Sequence, residues 1–169
     1  MTRPGLLDEL LEAWRYTRSG VLAEVENLPE ASFGVRPPGL GRSPLELANH
    51  IVESGRLMAG ELSRADGDFQ RSSYEELLAE HARPGDVARS WPEAIELLRR
   101  SHAEGDATLR AAGPERMMKP IRQFNGEQAT RLAWMHHGIA HEEYHRGQLA
   151  LYARLMGRVP ALTQAINAS

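Results

Sequence analysis

The chain has 169 residues, with 20 basic and 23 acidic side chains and a formal net charge of −3. This length suffices for one domain with a hydrophobic core, so we expect a single domain over residues 1–169. The charges are interspersed and form no basic stripe or tail, which argues against a nucleic-acid partner. The sequence contains no cysteine. A transition metal would therefore have to be bound by histidine and carboxylate.

The sequence shows neither a membrane-spanning run nor a secretion signal. No apolar run approaches the roughly 20 residues that a membrane helix needs. The N-terminal residues are soon followed by acidic ones and lack the apolar core of a signal peptide. We therefore expect a cytoplasmic protein without a membrane partner.

Four long stretches have the hydrophobic periodicity of amphipathic helices. They cover residues 6–25, 44–66, 91–112 and 130–156. The second and third follow capping-box sequences, Ser-Pro-Leu-Glu and Ser-Trp-Pro-Glu, which favour helix starts. A shorter helix is expected at residues 72–82 and an extended segment at residues 119–124. Four such helices predict an all-α four-helix bundle, and two long connections argue against the simplest up-down-up-down order.

Two histidines lie on the predicted buried face of the fourth helix. His141 and His145 are four residues apart, so both side chains lie on one side of the helix. Two buried imidazoles without hydrogen-bond partners would be unfavourable, and a shared divalent ion removes that cost. His50 lies on the buried face of the second helix and is the best-placed third ligand. Three protein ligands plus water are the usual arrangement of a catalytic zinc site.

The remaining histidines have more ordinary interpretations. A lone histidine on an apolar face is usually a core residue, and this applies to His102 and, taken alone, to His50. His137 lies at the edge of the buried stripe, where it either orients a ligand or meets the loops at the helix end. His136 is expected to be exposed. His81, near the end of the short helix, is expected to interact with the helix dipole or with solvent.

The segment from His141 to His145 also matches the H-E-x-x-H motif of zinc proteases, with Glu142 as the base. Those proteases mostly take a third ligand from downstream. Residues 146–169 contain no aspartate, glutamate or histidine, so the sequence provides no such ligand. We therefore reject the protease interpretation and treat Glu142 as a bystander or as a residue that supports a ligand.

Three charged residues close to the three histidines have two interpretations each. Glu46 and Glu53 lie one turn on either side of His50, where each either accepts a hydrogen bond from a ligand histidine or is a solvated helix charge. We favour the second interpretation. Arg146 either binds a substrate carboxylate or forms an ordinary salt bridge. Gln148 flanks the same site.

Two segments carry a resemblance to a known family. His137 and the run from His141 to Leu149, His-Glu-Glu-Tyr-His-Arg-Gly-Gln-Leu, together resemble the C-terminal signature of the DinB-like (YfiT-like) metal-binding bundles. The run Leu-Ala-Asn-His-Ile around His50 resembles their first ligand segment, and an Asn-Gly pair before the last helix also fits. Tyr144 stands where members often carry another histidine, but it lies off the ligand face.

The resemblance implies an up-down-down-up four-helix bundle. It also implies that His50, His141 and His145 bind one divalent ion, with water completing the shell. The ion is zinc, nickel, iron or manganese, depending on the member, and homodimers are common. Studied relatives include S-transferases that use bacillithiol or mycothiol, and a mycothiol-dependent maleylpyruvate isomerase.

From this resemblance we expect a metal-dependent S-transferase that joins a low-molecular-weight thiol to an electrophile. Two alternatives remain open. One is a non-catalytic, metal-binding stress-response bundle, which a fourth ligand such as His102 would favour. The other is a metal-dependent hydrolase, in which water is the nucleophile instead of the thiol.

Overall fold

The computed structural model describes residues 4–39, 41–83 and 85–168. Within them it contains six α-helices and one two-stranded hairpin. A single 3-10 turn, Glu30–Ser32, lies between the first two helices. The elements in chain order are α1 (Leu6–Asn27), α2 (Pro44–Ser63), α3 (Tyr74–His81), α4 (Trp91–Met117), β1 (Pro120–Arg122), β2 (Gln128–Thr130), α5 (Arg131–Leu155) and α6 (Ala161–Asn167).

The helix boundaries follow the local signals of the sequence. Ser43 caps α2 by accepting a hydrogen bond from the Glu46 amide, and the Glu46 carboxylate accepts one from the Ser43 amide at 2.8 Å. Thr130 caps α5 in the same way through the Ala133 amide, at 3.1 Å. Gly113, with φ of 79°, interrupts α4 at the predicted stop, and one further helical turn follows it. The four long helices and the short helix are thus confirmed.

Helices α1 and α5 run in the same direction. Trp14 of α1 donates to Glu142 of α5, and two turns later Gly20 lies against the Arg146 guanidinium. Because the residue numbers of both helices increase from the first contact to the second, the two helices are parallel. Because α1 is the first long helix and α5 the last, the bundle begins and ends in the same direction.

Helices α2 and α5 run in opposite directions. Arg131 at the start of α5 donates to the Leu62 carbonyl near the end of α2, at 2.9 Å. Near the opposite end of α2, the His50 ring lies 4.8 Å from the ring of His145. This antiparallel contact brings the predicted histidines of the two helices to one level of the bundle.

Helix α4 runs opposite to α1 and therefore parallel to α2. Asp8 at the start of α1 pairs with Arg110 late in α4, and Glu26 at the end of α1 pairs with Arg99. The order of directions is up-down-down-up, as the resemblance to the family implies. The predicted fold class is confirmed, with the hairpin and α6 as additions to it.

The buried face of α5 is rotated relative to the prediction. The predicted stripe passes through Gly138 and His141, whereas the buried positions before His145 are Arg131, Met135, Ile139 and Glu142. The displacement arises because Glu142 is buried with a charged partner, which a hydrophobic pattern cannot reveal. His141 consequently lies beside the core rather than at its centre.

Charged side chains also enter the core of this bundle. Arg18 is only 2% exposed, although the periodicity of α1 places it mostly off the buried stripe. Other buried charged side chains are Glu24, Arg56, Glu61, Arg131 and Arg146.

None of the helices in the described ranges combines the length and the apolar character needed to cross a membrane.

The β-hairpin, for which only an extended segment at residues 119–124 is predicted, connects α4 to α5. Pro120 pairs with Thr130 and Arg122 with Gln128 in an antiparallel register. The Phe69 amide donates to the Arg122 carbonyl at 3.0 Å, which fixes the α2–α3 connection against the hairpin. This contact places aromatic residues from three segments beside the histidines.

Candidate metal centre

Three histidines converge between α2 and α5. One ring nitrogen from each of His50, His141 and His145 lies within 4.8 Å of the other two. The ring centroid of His50 lies 5.2 Å from that of His141 and 4.8 Å from that of His145. The ring centroids of His141 and His145 are 4.4 Å apart. The structure therefore brings together all three residues that the sequence analysis selects. We refer to them as the histidine cluster.

The cluster is electrically neutral at neutral pH. Burial lowers the pKa of His50 to about 4, with the charge of Arg42 as the next cause. Burial also lowers the pKa of His141 and of His145. An imidazole presents a lone pair to a metal only when it is unprotonated. The environment thus keeps all three rings in the form that a metal requires.

The donor set fits a divalent ion. The Nε2 atoms of His141 and His145 face each other at 3.0 Å. Nitrogens that share one zinc ion in a tetrahedral site lie about 3.3 Å apart, given Zn–N bonds of about 2.0–2.1 Å. The spread of up to 4.8 Å within the cluster is wider, and small rotations of the imidazoles reduce it. Neutral imidazoles suit zinc, nickel, iron and copper.

Gln148 supports one ring of the cluster. Its Oε1 lies 2.7 Å from Nδ1 of His145. When Nδ1 carries the proton and donates to this oxygen, Nε2 of the same ring is left with its lone pair. The sequence analysis places Gln148 beside the site without a role. Its spacing of three residues from His145 on one helix is the signal that could have identified the contact.

Glu142 has a structural position instead of the predicted bystander role. Its carboxylate is 4% exposed and accepts hydrogen bonds from Arg18 at 2.5 and 3.0 Å and from Trp14 at 2.9 Å. Arg18 also donates to the Leu98 carbonyl at 2.6 Å, which adds α4 to the network. Glu142 is therefore held by α1 and is not placed to act as the base of a protease.

The other predicted histidines lie outside the cluster. His102 packs against Trp14, with ring centroids 4.6 Å apart, and does not join the ligand group. His136 and His137 are exposed, and His137 contacts the ring of Trp134. His81 lies in the last turn of α3, as predicted, but it does not face solvent, because its Nε2 lies 2.8 Å from a carboxylate oxygen of the buried Glu61.

The flanking charged residues are mostly explained by other contacts. Glu46 caps α2 and pairs with Arg36, as the solvated interpretation predicts. Arg146 forms an ion pair with Glu143 at 3.0 Å and lies over the ring of Tyr16, so it is not free to bind a substrate carboxylate. This agrees with the ordinary salt bridge considered for it.

An apolar cleft opens beside His141. It has a volume of about 290 Å³, close to the lower limit for small-molecule sites. Phe69, Phe124 and Trp134 form its aromatic wall, and their ring centroids are 4.8 to 5.8 Å apart. The remaining lining residues include Ile51, Ser54, Met58, Tyr74 and His137. We refer to this space as the aromatic cleft.

Arg42 and Glu53 are two further charged residues near the cluster. The sequence analysis gave Arg42 no role and favoured a solvated charge for Glu53. Arg42 lies on the loop before α2, and Glu53 lies one turn after His50. Both line a second cleft together with His50. A loop arginine carries no periodic signal, and for this reason sequence reasoning missed it.

The sequence matches a known family over most of its length. The model of the DinB superfamily matches residues 13–149. No curated protein matches the sequence at a significant level.

Several solved structures share the fold. A DinB-like protein, YjoA from Bacillus subtilis, is 21% identical and superposes with a TM-score of 0.65, covering 89% of this chain and 93% of that one. YfiT from Bacillus subtilis, described as a probable metal-dependent hydrolase with an unusual four-helix bundle topology, is 14% identical with a TM-score of 0.68, covering 94% of each chain.

A third similar structure is a mycothiol-dependent maleylpyruvate isomerase. It is 16% identical with a TM-score of 0.66, and the match covers 88% of this chain but only 63% of the isomerase. At these levels of identity the likeness concerns the fold. The family match over residues 13–149, together with these folds, shows that the chain belongs to the DinB superfamily, with a YfiT-like architecture.

Proposed function

We propose that His50, His141 and His145 bind one divalent metal ion, and that the loaded protein is an S-transferase that joins a low-molecular-weight thiol to an electrophile. The observation that carries this proposal is the convergence of three neutral imidazoles beside an apolar cleft. Two structural neighbours support parts of it, since one is described as a probable metal-dependent hydrolase and another as a mycothiol-dependent isomerase. Zinc, nickel, iron and manganese remain the candidate ions.

The residues of the chain have separate tasks in this proposal. A bound divalent ion would supply Lewis acidity, which favours the thiolate form of a thiol. Gln148 holds His145 in the tautomer whose Nε2 is free to bind. The aromatic cleft receives the apolar part of the electrophile and keeps water from it.

The transfer balances without an oxidant or reductant. The thiol S–H bond breaks, and its proton passes to solvent. The sulfur electron pair forms a bond to the electrophilic carbon. The bond between this carbon and the leaving group breaks, and the leaving group departs with the electron pair of that bond. No cysteine of the chain is needed, since the nucleophilic sulfur comes from the added thiol.

A purely structural ion is less well supported. A closed site needs a fourth protein ligand, and His102 is the candidate that the sequence offered. In the described part of the chain His102 lies beside Trp14, and no fourth histidine or acidic residue joins the group. Three ligands leave one position open, which is typical of catalytic sites.

The test uses protein reconstituted in turn with zinc, nickel, iron and manganese. Each form is incubated with monochlorobimane and with bacillithiol, mycothiol or glutathione. We expect metal-dependent growth of bimane fluorescence with at least one thiol, and loss of that signal in His50→Ala. Absence of metal-dependent conjugation with all three thiols would rule out the transferase. Metal-dependent hydrolysis of p-nitrophenyl acetate without a thiol would then favour the hydrolase.

A further inference from the structure

Two charged side chains beside the histidine cluster have no ionic partner. Arg42 and Glu53 form no ion pair and no side-chain hydrogen bond within residues 4–39, 41–83 and 85–168. Neighbouring charges differ in this respect, since Glu46 pairs with Arg36 and Arg146 with Glu143. The two unpaired groups therefore remain available to a ligand.

Arg42 and Glu53 line one cleft with His50. This cleft has a volume of about 320 Å³ and is also lined by Asn49. Burial raises the pKa of Glu53 and the charge of Arg42 lowers it, so the two side chains interact through space without forming an ion pair. The positive charge of Arg42 also lowers the pKa of His50, after the larger effect of burial. The charge of Arg42 thus acts at the histidine cluster itself, and Glu53 faces Arg42 in the same cleft.

The main chain of Arg42 is held in place. The Tyr152 hydroxyl of α5 donates to the Arg42 carbonyl at 2.6 Å, and Tyr152 is buried. The next residue, Ser43, is the N-cap of α2. The guanidinium is therefore attached to a backbone that two long helices fix, while its end stays exposed to solvent.

We propose that this cleft selects a thiol cosubstrate that carries both a free carboxylate and a free ammonium group, with the carboxylate on Arg42 and the ammonium group on Glu53. The inference rests on the proposed function, because it assumes that a thiol reaches the histidine cluster. An arginine matches a carboxylate with two parallel hydrogen bonds, and a carboxylate accepts hydrogen bonds from an ammonium group. A thiol with both groups free is then bound in preference to a thiol in which either is blocked.

The two clefts give the reactants separate approaches. His50 lines the charged cleft, and His141 lines the aromatic cleft. A charged thiol enters on the first side and an apolar electrophile on the second, so neither competes for the binding surface of the other. The histidine cluster lies where the two reactants meet.

The test measures binding to the metal-loaded protein by isothermal titration calorimetry. The probes are L-cysteine, its ethyl ester, which lacks the carboxylate, and N-acetylcysteine, which lacks the ammonium group. We expect wild-type protein to bind L-cysteine about threefold to tenfold more tightly than either derivative, as charge-assisted contacts at a partly exposed site allow.

Two variants separate the contacts. Arg42→Gln should bind L-cysteine and its ethyl ester equally, while still preferring L-cysteine to N-acetylcysteine. Glu53→Gln should show the reverse pattern. If wild-type protein binds all three thiols equally, or if both preferences persist in the variants because cysteine chelates the ion through its own amine, the inference is overturned. If none of the three thiols binds although metal-dependent conjugation occurs with mycothiol, the inference is overturned and the proposed function stands. If neither binding nor conjugation occurs, the proposed function fails.

Discussion

His81 and His145 are both held inside the molecule, but their ring nitrogens meet different partners. Nε2 of His81 lies 2.8 Å from a carboxylate oxygen of Glu61. Nε2 of His145 instead faces Nε2 of His141 at 3.0 Å. His81 is paired with an acid, whereas the cluster places ring nitrogens beside one another, and each of these nitrogens can present a lone pair to a cation. The difference distinguishes a structural histidine from histidines that can bind a cation.

Two buried carboxylates show how completely the fold pairs its structural charges. Glu61 accepts hydrogen bonds from Arg71 at 2.9 Å and from the Asp68 amide at 2.7 Å, in addition to its contact with His81. Glu142 is paired with Arg18 and Trp14. Removing one member of such a network leaves a buried group unsatisfied. Removing a member of the histidine cluster should instead affect the metal.

The largest loss of stability is expected for Glu142→Ala. This change leaves the Arg18 guanidinium buried without its carboxylate, which typically costs about 3–5 kcal/mol. Urea denaturation should show this decrease in the free energy of unfolding. Glu12→Ala, which removes an exposed ion pair with Arg15 on the same helix as Arg18, should leave the midpoint unchanged. Equal effects of the two substitutions would contradict the structural role of Glu142.

The Glu61 network should make stability depend on acid pH. Burial raises the pKa of Glu61, but its bonds with His81, Arg71 and the Asp68 amide outweigh this and bring it from 4.5 to about 2. A carboxyl group with a lowered pKa stabilises the fold above pH 4.5 and loses this contribution as pH falls towards 2. The contribution is on the order of 3 kcal/mol.

Unfolding of wild type and of Glu61→Gln at pH 7, 4 and 2.5 tests this dependence. The difference in the free energy of unfolding should be largest at pH 7 and should shrink as the pH falls. A difference that is constant over the whole range would show that Glu61 does not titrate as a buried partner of His81 and Arg71.

Metal addition should stabilise the protein through the cluster alone. A ligand that binds only the folded state at 100 times its Kd adds about 2.7 kcal/mol. For a chain of this length, that corresponds to a rise in Tm of roughly 5–10 °C. The rise should disappear in His50→Ala and persist in Glu61→Gln, both measured by thermal unfolding with zinc or with EDTA. A rise of equal size in His50→Ala would place the metal elsewhere.

A smaller change is expected when only the support of one ring is removed. In Gln148→Ala the Nδ1 of His145 loses its acceptor at 2.7 Å. Loss of such a supporting hydrogen bond typically lowers metal affinity about 10- to 100-fold. Gln148→Glu keeps an oxygen acceptor and should retain most of the affinity. Competition with a chromophoric chelator measures both variants, and unchanged affinity in Gln148→Ala would remove the residue from the site.

The sequence was sufficient to predict the four long helices, the short helix α3 and the meeting of the three histidines, but not α6. Capping residues such as Ser43 and breakers such as Gly113 act locally, so they can be read from neighbouring residues. The histidine positions follow from helical periodicity combined with antiparallel packing of α2 and α5. The resemblance to the family supplied the order of helix directions, which periodicity alone does not determine.

The network around Glu142 could not be predicted in this way. Arg18 and Glu142 are 124 residues apart in the sequence. Both are charged, so hydrophobic periodicity gives no indication that either side chain is buried. Their pairing depends on the parallel packing of α1 and α5. The roles of Arg42 and Glu53 could not be predicted for the same reason. Their availability to a ligand depends on the folded structure, in which neither side chain has an ion-pair partner among the described residues.

The proposed metal site is tested most directly by metal content. Wild-type protein, His50→Ala, His145→Ala and the control His102→Ala are purified from the same expression host, and bound metal is measured by mass spectrometry. We predict one divalent ion per chain in wild type and in His102→Ala, and almost none in the other two variants. Full metal occupancy in His50→Ala would contradict the three-histidine site.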